Sequence, residues 1–223
     1  MLNKVTTNIY TYMGSNFLKL LLLTILSLFL FGSTCNKDGS KPCSMATPYS
    51  FNVTSEFKPQ KEIYNVGDTI FLTSTFPKLL TNLISSQQVD YNNSLSIGGS
   101  ITFGLLDTIL KTGIDSYSKF KVSSTIGSFS QITNTPNKGI ITNYLETSTE
   151  YKVSLGIKLL EKGLFVIGIS NLNSNGLRGK DCTNAGFNMT VTNSNKNLNL
   201  FQYALGYPAD NMLAKNIYCF RVQ

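Results

Sequence analysis

Residues 151–170 read YKVSLGIKLLEKGLFVIGIS. Tyr151, Val153, Leu155, Ile157 and Leu159 alternate with polar or small residues, the period of two expected of a half-buried strand. Glu161-Lys162-Gly163 interrupts the run, and the apolar stretch LFVIGI (164–169) resumes it. The pattern predicts two strands folded back on each other as a hairpin, with Gly163 supplying a positive φ at the turn. The same signal recurs on both sides. Upstream, 49–57 (YSFNVTSEF) places Phe51, Val53 and Ser55 on one face. Asn65-Val66-Gly67-Asp68 reads as a turn into 69–76, where Ile70, Leu72, Ser74 and Phe76 share a face. The Gly-rich stretch 94–106 reads as a strand pair, and 120–132 and 140–146 as further strands. Downstream, 187–192 and 216–222 (NIYCFRV) complete the set. Helix is scarce, with candidates only at 78–89, 198–205 and 210–215. Many short strands separated by turn signals predict an all-β fold, an antiparallel β-sandwich spanning residues 49–223 as a single domain.

The composition agrees. Of 223 residues, 42% are hydrophobic and 14% charged, too apolar for a disordered chain. There is no His and no Trp, which excludes a His-based triad and a His metal site. The formal net charge of +7 is spread over scattered lysines, with Arg only at Arg178 and Arg221. Nucleic-acid binders concentrate these cations on one face, so no nucleic-acid partner is expected.

The N-terminus carries the targeting information. Residues 20–31 (LLLLTILSLFLF) form an apolar run of 12, too short to span a bilayer and of the right length for the core of a signal peptide. Lys19 precedes it, and Gly32, Ser33 and Thr34 lead to Cys35. Residues 1–34 are therefore expected to be a signal peptide, with Met13 a better start than Met1. Cys35 after small residues resembles the lipobox of bacterial lipoproteins, although Gly32 and Thr34 depart from its usual residues. That resemblance implies lipidation at Cys35 and a membrane partner held through the N-terminal lipid. A plain secretory signal is the alternative. Residues 35–48 read as a flexible tether.

Taken with Cys35, the segments YNVGDTI (64–70), Gly163-Leu164-Phe165 and YCFRV (218–222) resemble small uncharacterised envelope lipoproteins of the Bacteroidota type. The resemblance implies a lipid-anchored protein of the bacterial cell envelope, in the outer membrane, with a β-sandwich body. It implies no reaction. The turn-strand VGDTI (66–70) also resembles the second strand of bacterial immunoglobulin-like surface domains, which implies an immunoglobulin-like sandwich.

Candidate chemistry is thin. Cys35, Cys43, Cys182 and Cys219 include no C-x-x-C pair, so structural disulfides are expected in an oxidising compartment. With Cys35 acylated, a Cys182–Cys219 bridge is favoured, and Cys43–Cys219 is the alternative. Asn171, Asn173, Asn175 and Gly176 mimic a calcium loop, but position 12 is Cys182 in place of Glu, and no metal is expected. Ser55-x-x-Lys58, Ser116-x-x-Lys119 and Lys111-Thr112-Gly113 are pieces of a Ser-Lys hydrolase signature that fail as a set. Glu146 and Glu150 are the closest acid pair and read as turn acids. Tyr91, Tyr117, Tyr203 and Tyr207 could line a sugar-binding face. Asn52, Asn93 and Asn188 lie in formal N-glycosylation sequons. Asp68-Thr69-Ile70 and Asp107-Thr108-Ile109 resemble the short O-glycosylation signal of Bacteroidota. No catalytic residue and no cofactor is assigned. The reading is a lipid-anchored envelope protein whose β-sandwich serves binding or structure, with a surface glycan or a protein as ligand. An unanchored secreted module and a carboxylate- or Ser-Lys-dependent hydrolase are the alternatives.

Overall fold

In the computed structural model, residues 49–132, 138–180 and 182–223 are described. The expected signal peptide, Cys35, the tether with Cys43, and Asp181 lie outside them. Strand β1 (Tyr49–Lys58) belongs to both layers. Its residues 49–55 run parallel to β15 (Ala185–Val191) in sheet I, and Glu56–Lys58 pair antiparallel with β3 (Thr69–Pro77) in sheet II.

Sheet I is built around β6 (Ile97–Asp107). On one edge β6 carries β10 (Gly139–Asn143) and β7 (Thr112–Asp115), with β9 (Ser128–Ile132) beyond β10. On the other edge lie β13 (Gly163–Ile169) and then β14 (Leu172–Ser174). β13 continues to β16 (Ile217–Val222) and the parallel two-residue β2 (Ile63–Tyr64), while β14 continues to β15. Sheet II places β12 (Glu150–Leu159) between β3 and the pair β8 (Phe120–Ile126) and β11 (Leu145–Glu146). A separate ribbon joins β4 (Leu79–Thr81) to β5 (Gln88–Asp90).

The inner faces of the two sheets form one core. Phe51, Val53 and Phe57 from β1, Ile70, Leu72 and Phe76 from β3, and the five alternating apolar residues of β12 meet Ile101, Phe103, Phe165, Ile167 and Phe187 of sheet I. This is a β-sandwich, mostly antiparallel, with two parallel pairings. The alternation along 49–57 and 69–76 specifies it, because only one side of each strand is oily enough to leave water.

Several expected elements pair differently. Residues 151–170 form two strands but no hairpin. β12 bonds to β3 and β8, whereas β13 bonds to β6 and β16, so the turn at 160–162 arches from one sheet to the other. Both halves have an apolar face because both line the core from opposite layers. Gly163 is required by close packing: a Cβ there would lie 2.8 Å from Leu105 Cδ1 and 2.9 Å from the Phe165 ring. Residues 97–107 are a single strand bonded on both edges, not a pair. The stretch 120–132 breaks at Gly127 (φ +75°), which sends β8 to sheet II and β9 to sheet I. The helix expected at 78–89 is the β4–β5 ribbon.

The other two helices form. α1 (Leu198–Leu205) ends at Gly206, which is left-handed and donates to the Gln202 carbonyl at 2.9 Å. Its Leu200, Phe201, Ala204 and Leu205 pack on Leu106, Leu164, Ile217 and Cys219, so a second small core covers part of the outer face of sheet I. α2 (Asn211–Asn216) begins at Asp210, whose Oδ1 accepts the Leu213 N–H at 2.7 Å.

Candidate functional site

The outer face of sheet I carries two adjoining hollows. Where β6 lies beside β13, the outward positions are Ser100, Thr102 and Gly104 facing Ser170, Gly168 and Val166. Thr102 sits opposite Gly168, and a Cβ at Gly168 would lie 2.9 Å from Thr102 Oγ1. The floor is therefore low where its neighbours are tall. α2 stands along one side, contributing Asp210, Met212, Leu213 and Asn216, and encloses a groove of about 420 Å³. A second hollow of about 270 Å³ adjoins it, sharing Thr102, Gly168, Leu213 and Ile217. It extends to Phe201 of α1, to Gly113–Asp115 of β7 and to Lys138. Hydroxyls line the floor, apolar side chains line the walls, and charges stand at the ends. The Ser170 hydroxyl is committed, accepting the Ser100 N–H at 2.8 Å and donating to the Asn171 carbonyl at 3.0 Å. Asn216 Oδ1 is buried beside the groove without a hydrogen-bond partner.

The candidate acids do not converge on such a surface. Glu146 pairs with Lys78 at 2.7 Å and accepts the Asn93 N–H at 2.8 Å. Burial pushes its carboxyl up, but the Lys78 ammonium and the Asn93 N–H outweigh burial and hold it below the usual glutamate range. Glu150 sits across the turn, paired with Lys152 at 3.2 Å. Thr147 closes that turn, its N–H donating to the Glu150 carbonyl at 2.8 Å. Both acids are thus structural.

The Ser-Lys pieces are also separated. Ser55 points into the core from β1, whereas Lys58, an odd number of residues away, faces outward and pairs with Glu56. Ser116 is buried, and Lys119 is bound to Glu161. Lys111 sits at a hairpin tip, away from both serines. A denser hydroxyl cluster joins Tyr91, Ser94, Tyr151 and Ser174, with Ser94 Oγ 2.8 Å from Ser174 Oγ and Tyr151 donating to the Tyr91 carbonyl at 2.9 Å. Burial raises the pKa of both tyrosines, so these hydroxyls serve as neutral bridging groups inside the sandwich.

The remaining candidates resolve individually. Tyr91 is fully buried, Tyr117 is half-buried, Tyr203 is exposed on α1 and Tyr207 is exposed just after it, so the four tyrosines form no common face. In the 171–182 loop, Asn171 Oδ1 accepts the Met189 N–H at 3.0 Å and Asn173 lies within β14. These side chains hold the loop to the sheet. Among the described residues, no cluster of His, Cys, Asp and Glu could hold a metal ion. Thr108 is exposed in the β6–β7 turn, whereas Thr69 begins a strand.

The expected Cys182–Cys219 bridge is not formed. Cys219 is a free thiol, fully buried among Leu106, Leu164 and Phe201, and burial pushes its pKa up to about 12. Its place on β16 is opposite Val166, under α1, whereas Cys182 lies in the turn before Ala185, which pairs with Tyr49. Cys182 is disulfide-bonded, and its partner lies outside the described residues. A Cys43–Cys219 bridge is excluded by the same free thiol.

Comparison with known proteins adds little beyond likeness. No family model matches the chain, and no curated protein matches it. Among solved structures it is similar to the second type II cohesin module of the ScaA scaffoldin of Acetivibrio cellulolyticus, with 12% identity over 62% of this chain and 92% of that one and a TM-score of 0.33. It is also similar to a cohesin module from a Clostridium perfringens family 33 glycoside hydrolase, with 13% identity over 62% and 98% and a TM-score of 0.31. Type II cohesin A11 of Bacteroides cellulosolvens follows, with 12% identity over 61% and 86% and a TM-score of 0.24. The fold assignment rests on the strand register described above.

Proposed function

We propose that the protein is a lipid-anchored component of a bacterial envelope whose β-sandwich is a binding module without catalytic activity. The observation that carries the binding role is the groove on the outer face of sheet I, walled by α2 and floored by Thr102, Gly104 and Gly168. Hydroxyls along its floor and the charged Asp210, Asp115 and Lys138 at its ends are groups that could orient a ligand. The candidate carboxylates are held in ion pairs elsewhere. Anchoring is supported by the apolar run ending at Cys35. Lipoprotein modification brings two or three acyl chains, enough for stable attachment where one chain is marginal.

The test is made in a bacterial host. The wild type should enter the detergent phase and carry acyl chains on the Cys35 peptide, and Cys35→Ala should abolish both. Unchanged partitioning and mass in Cys35→Ala would refute the anchor. Turnover of glycans, esters or peptides that is lost in Glu146→Gln or Ser55→Ala would refute the non-catalytic reading.

A further inference from the structure

The β6–β7 hairpin ends in a turn that water should not favour. Its tip is Thr108-Ile109-Leu110-Lys111, and Ile109 and Leu110 are 88% and 68% exposed. Turns are ordinarily made of small polar residues, because these satisfy the backbone and tolerate solvent. Here Asp107 Oδ1 accepts the N–H groups of both Ile109 and Leu110 at 2.8 Å, so the two apolar side chains are held outward on a fixed turn.

The surroundings of the tip are basic. Phe165 pairs with Leu105, which brings Gly163 and the preceding arch level with the base of the hairpin. Leu160 in that arch is 42% exposed and donates to the Lys119 carbonyl. The nearby turn that holds Val66 is tied to the same end by the Gly67 N–H on the Leu159 carbonyl. Three acids stand at this end: Asp107, which accepts two backbone N–H groups, Asp68, which accepts the Asn65 N–H, and Glu161, which pairs with Lys119. Lys111, Lys121, Lys158 and Lys162 are exposed and make no ion pair among the described residues. Lys121 and Lys158 stand directly opposite each other on β8 and β12, a like-charge pairing that destabilises a sheet unless an anion sits between or beside them.

An apolar point at an end of the sandwich where lysines outnumber acids matches the physical profile of a bilayer surface with anionic headgroups. There the side chains enter the headgroup–acyl boundary while cations meet phosphates. The tip also points away from the N-terminal connection. Tyr49 pairs with Ala185, Ala185 with Ser174, and Ser174 with Ile97, the first residue of β6, whereas the tip follows Asp107, its last. The 11 residues of β6 separate the two ends by roughly 35 Å.

We infer that the Ile109–Leu110 tip docks onto a second, anionic membrane surface presented to the end of the sandwich opposite Tyr49. This rests on the envelope reading, and a two-vesicle experiment separates the two. The full-length protein is placed in dense phosphatidylcholine vesicles, and light acceptor vesicles containing phosphatidylglycerol or only phosphatidylcholine are added. Retention of protein on the dense vesicles reports on the anchor. Protein that is not retained is floated directly with the acceptor vesicles, so the tip is read either way. Phosphatidylglycerol vesicles should be captured and phosphatidylcholine vesicles ignored. Capture should fall roughly tenfold or more in the double variant Ile109→Asp/Leu110→Asp. It should fall several-fold in Lys111→Gln/Lys162→Gln and on raising the salt. The substituted positions are exposed, so an unchanged melting temperature will show that the variants fold. Capture of neither vesicle, equal capture of both, capture indifferent to the double variant, or a glycan on Thr108 would overturn the inference.

Discussion

Phe187→Ala tests whether the two layers are held together by the aromatic contacts that span them. Phe187 belongs to β15 of sheet I and is fully buried. Its ring lies 5.3 Å from Phe51 and 5.7 Å from Tyr91, and 5.5 Å from Phe76 on β3 of sheet II. Truncating a buried Phe costs about 3–5 kcal/mol through lost transfer energy and the cavity left behind. Three ring pairs within the favourable range of separation place this site in the upper half, at about 4 kcal/mol. For a chain of this size each kcal/mol lowers the melting temperature by about 2–4 °C, so the expected fall is about 8–16 °C. The assay is thermal and urea unfolding followed by circular dichroism, since no Trp is present as a fluorescent reporter. The control is Phe71→Ala. That ring lies on the outer face of β3, 43% exposed, covering Gly156 on the neighbouring strand. Its loss should cost only about 0.5–1 kcal/mol, the worth of a cross-strand pair. A Phe187→Ala loss below about 1.5 kcal/mol, or one no larger than that of Phe71→Ala, would refute inter-sheet packing at this point.

Two other outcomes follow from the same structure. Glu146 binds its proton less readily in the fold than in the unfolded chain, so its contribution to stability is complete above the ordinary glutamate range and fades as the pH falls through its lowered folded pKa. Glu146→Gln should therefore flatten the acid limb of the urea midpoint against pH, and an unchanged limb would show that the Lys78 pair is silent. With Cys219 free and Cys35 expected to be acylated, non-reducing peptide mapping should join Cys182 to Cys43, and a thiol reagent should modify Cys219 only in denaturant. A Cys182–Cys219 peptide, or rapid labelling of Cys219 in the native protein, would contradict this.

Alternation told correctly which side of each strand is buried. Phe51, Val53 and Phe57, or Ile70, Leu72 and Phe76, cannot be mistaken for a helical face, and all of them lie in the core. A period of two says nothing about which strand lies alongside. Tyr151–Leu159 and Leu164–Ile169 carry the same pattern whether they pair with each other or face each other across a sandwich. Short connections favour the hairpin, and long-range partners decided against it: β3 lies some eighty residues upstream of β12, and β16 some fifty downstream of β13. The same limit applies to 120–132, where only the positive φ of Gly127 divides one apparent strand between two layers.

The groove and the thiol were hidden for a related reason. Both lie on the outward face of sheet I, where sequence reasoning assigns residues to solvent. Along β16, Tyr218, Phe220 and Val222 point to the core, while Ile217 and Cys219 point the other way. Cys219 looked available for a bridge because no pattern within the strand shows that α1 lies over it. Residues 198–205 read as a helix candidate, and the structure shows that Leu200, Phe201, Ala204 and Leu205 form the stripe that covers this face. The counterpart was Leu106, Leu164 and Cys219, contributed by three different strands, and only the register brings them together. The groove depends in the same way on side chains that are missing, since Gly168 and Gly104 lower the floor beside residues distant in sequence. The hairpin tip depends on register as well. In the sequence, Asp107-Thr108-Ile109 resembles only a short O-glycosylation signal, and the exposure of Ile109 and Leu110 becomes visible once the β6–β7 register places them at a hairpin tip.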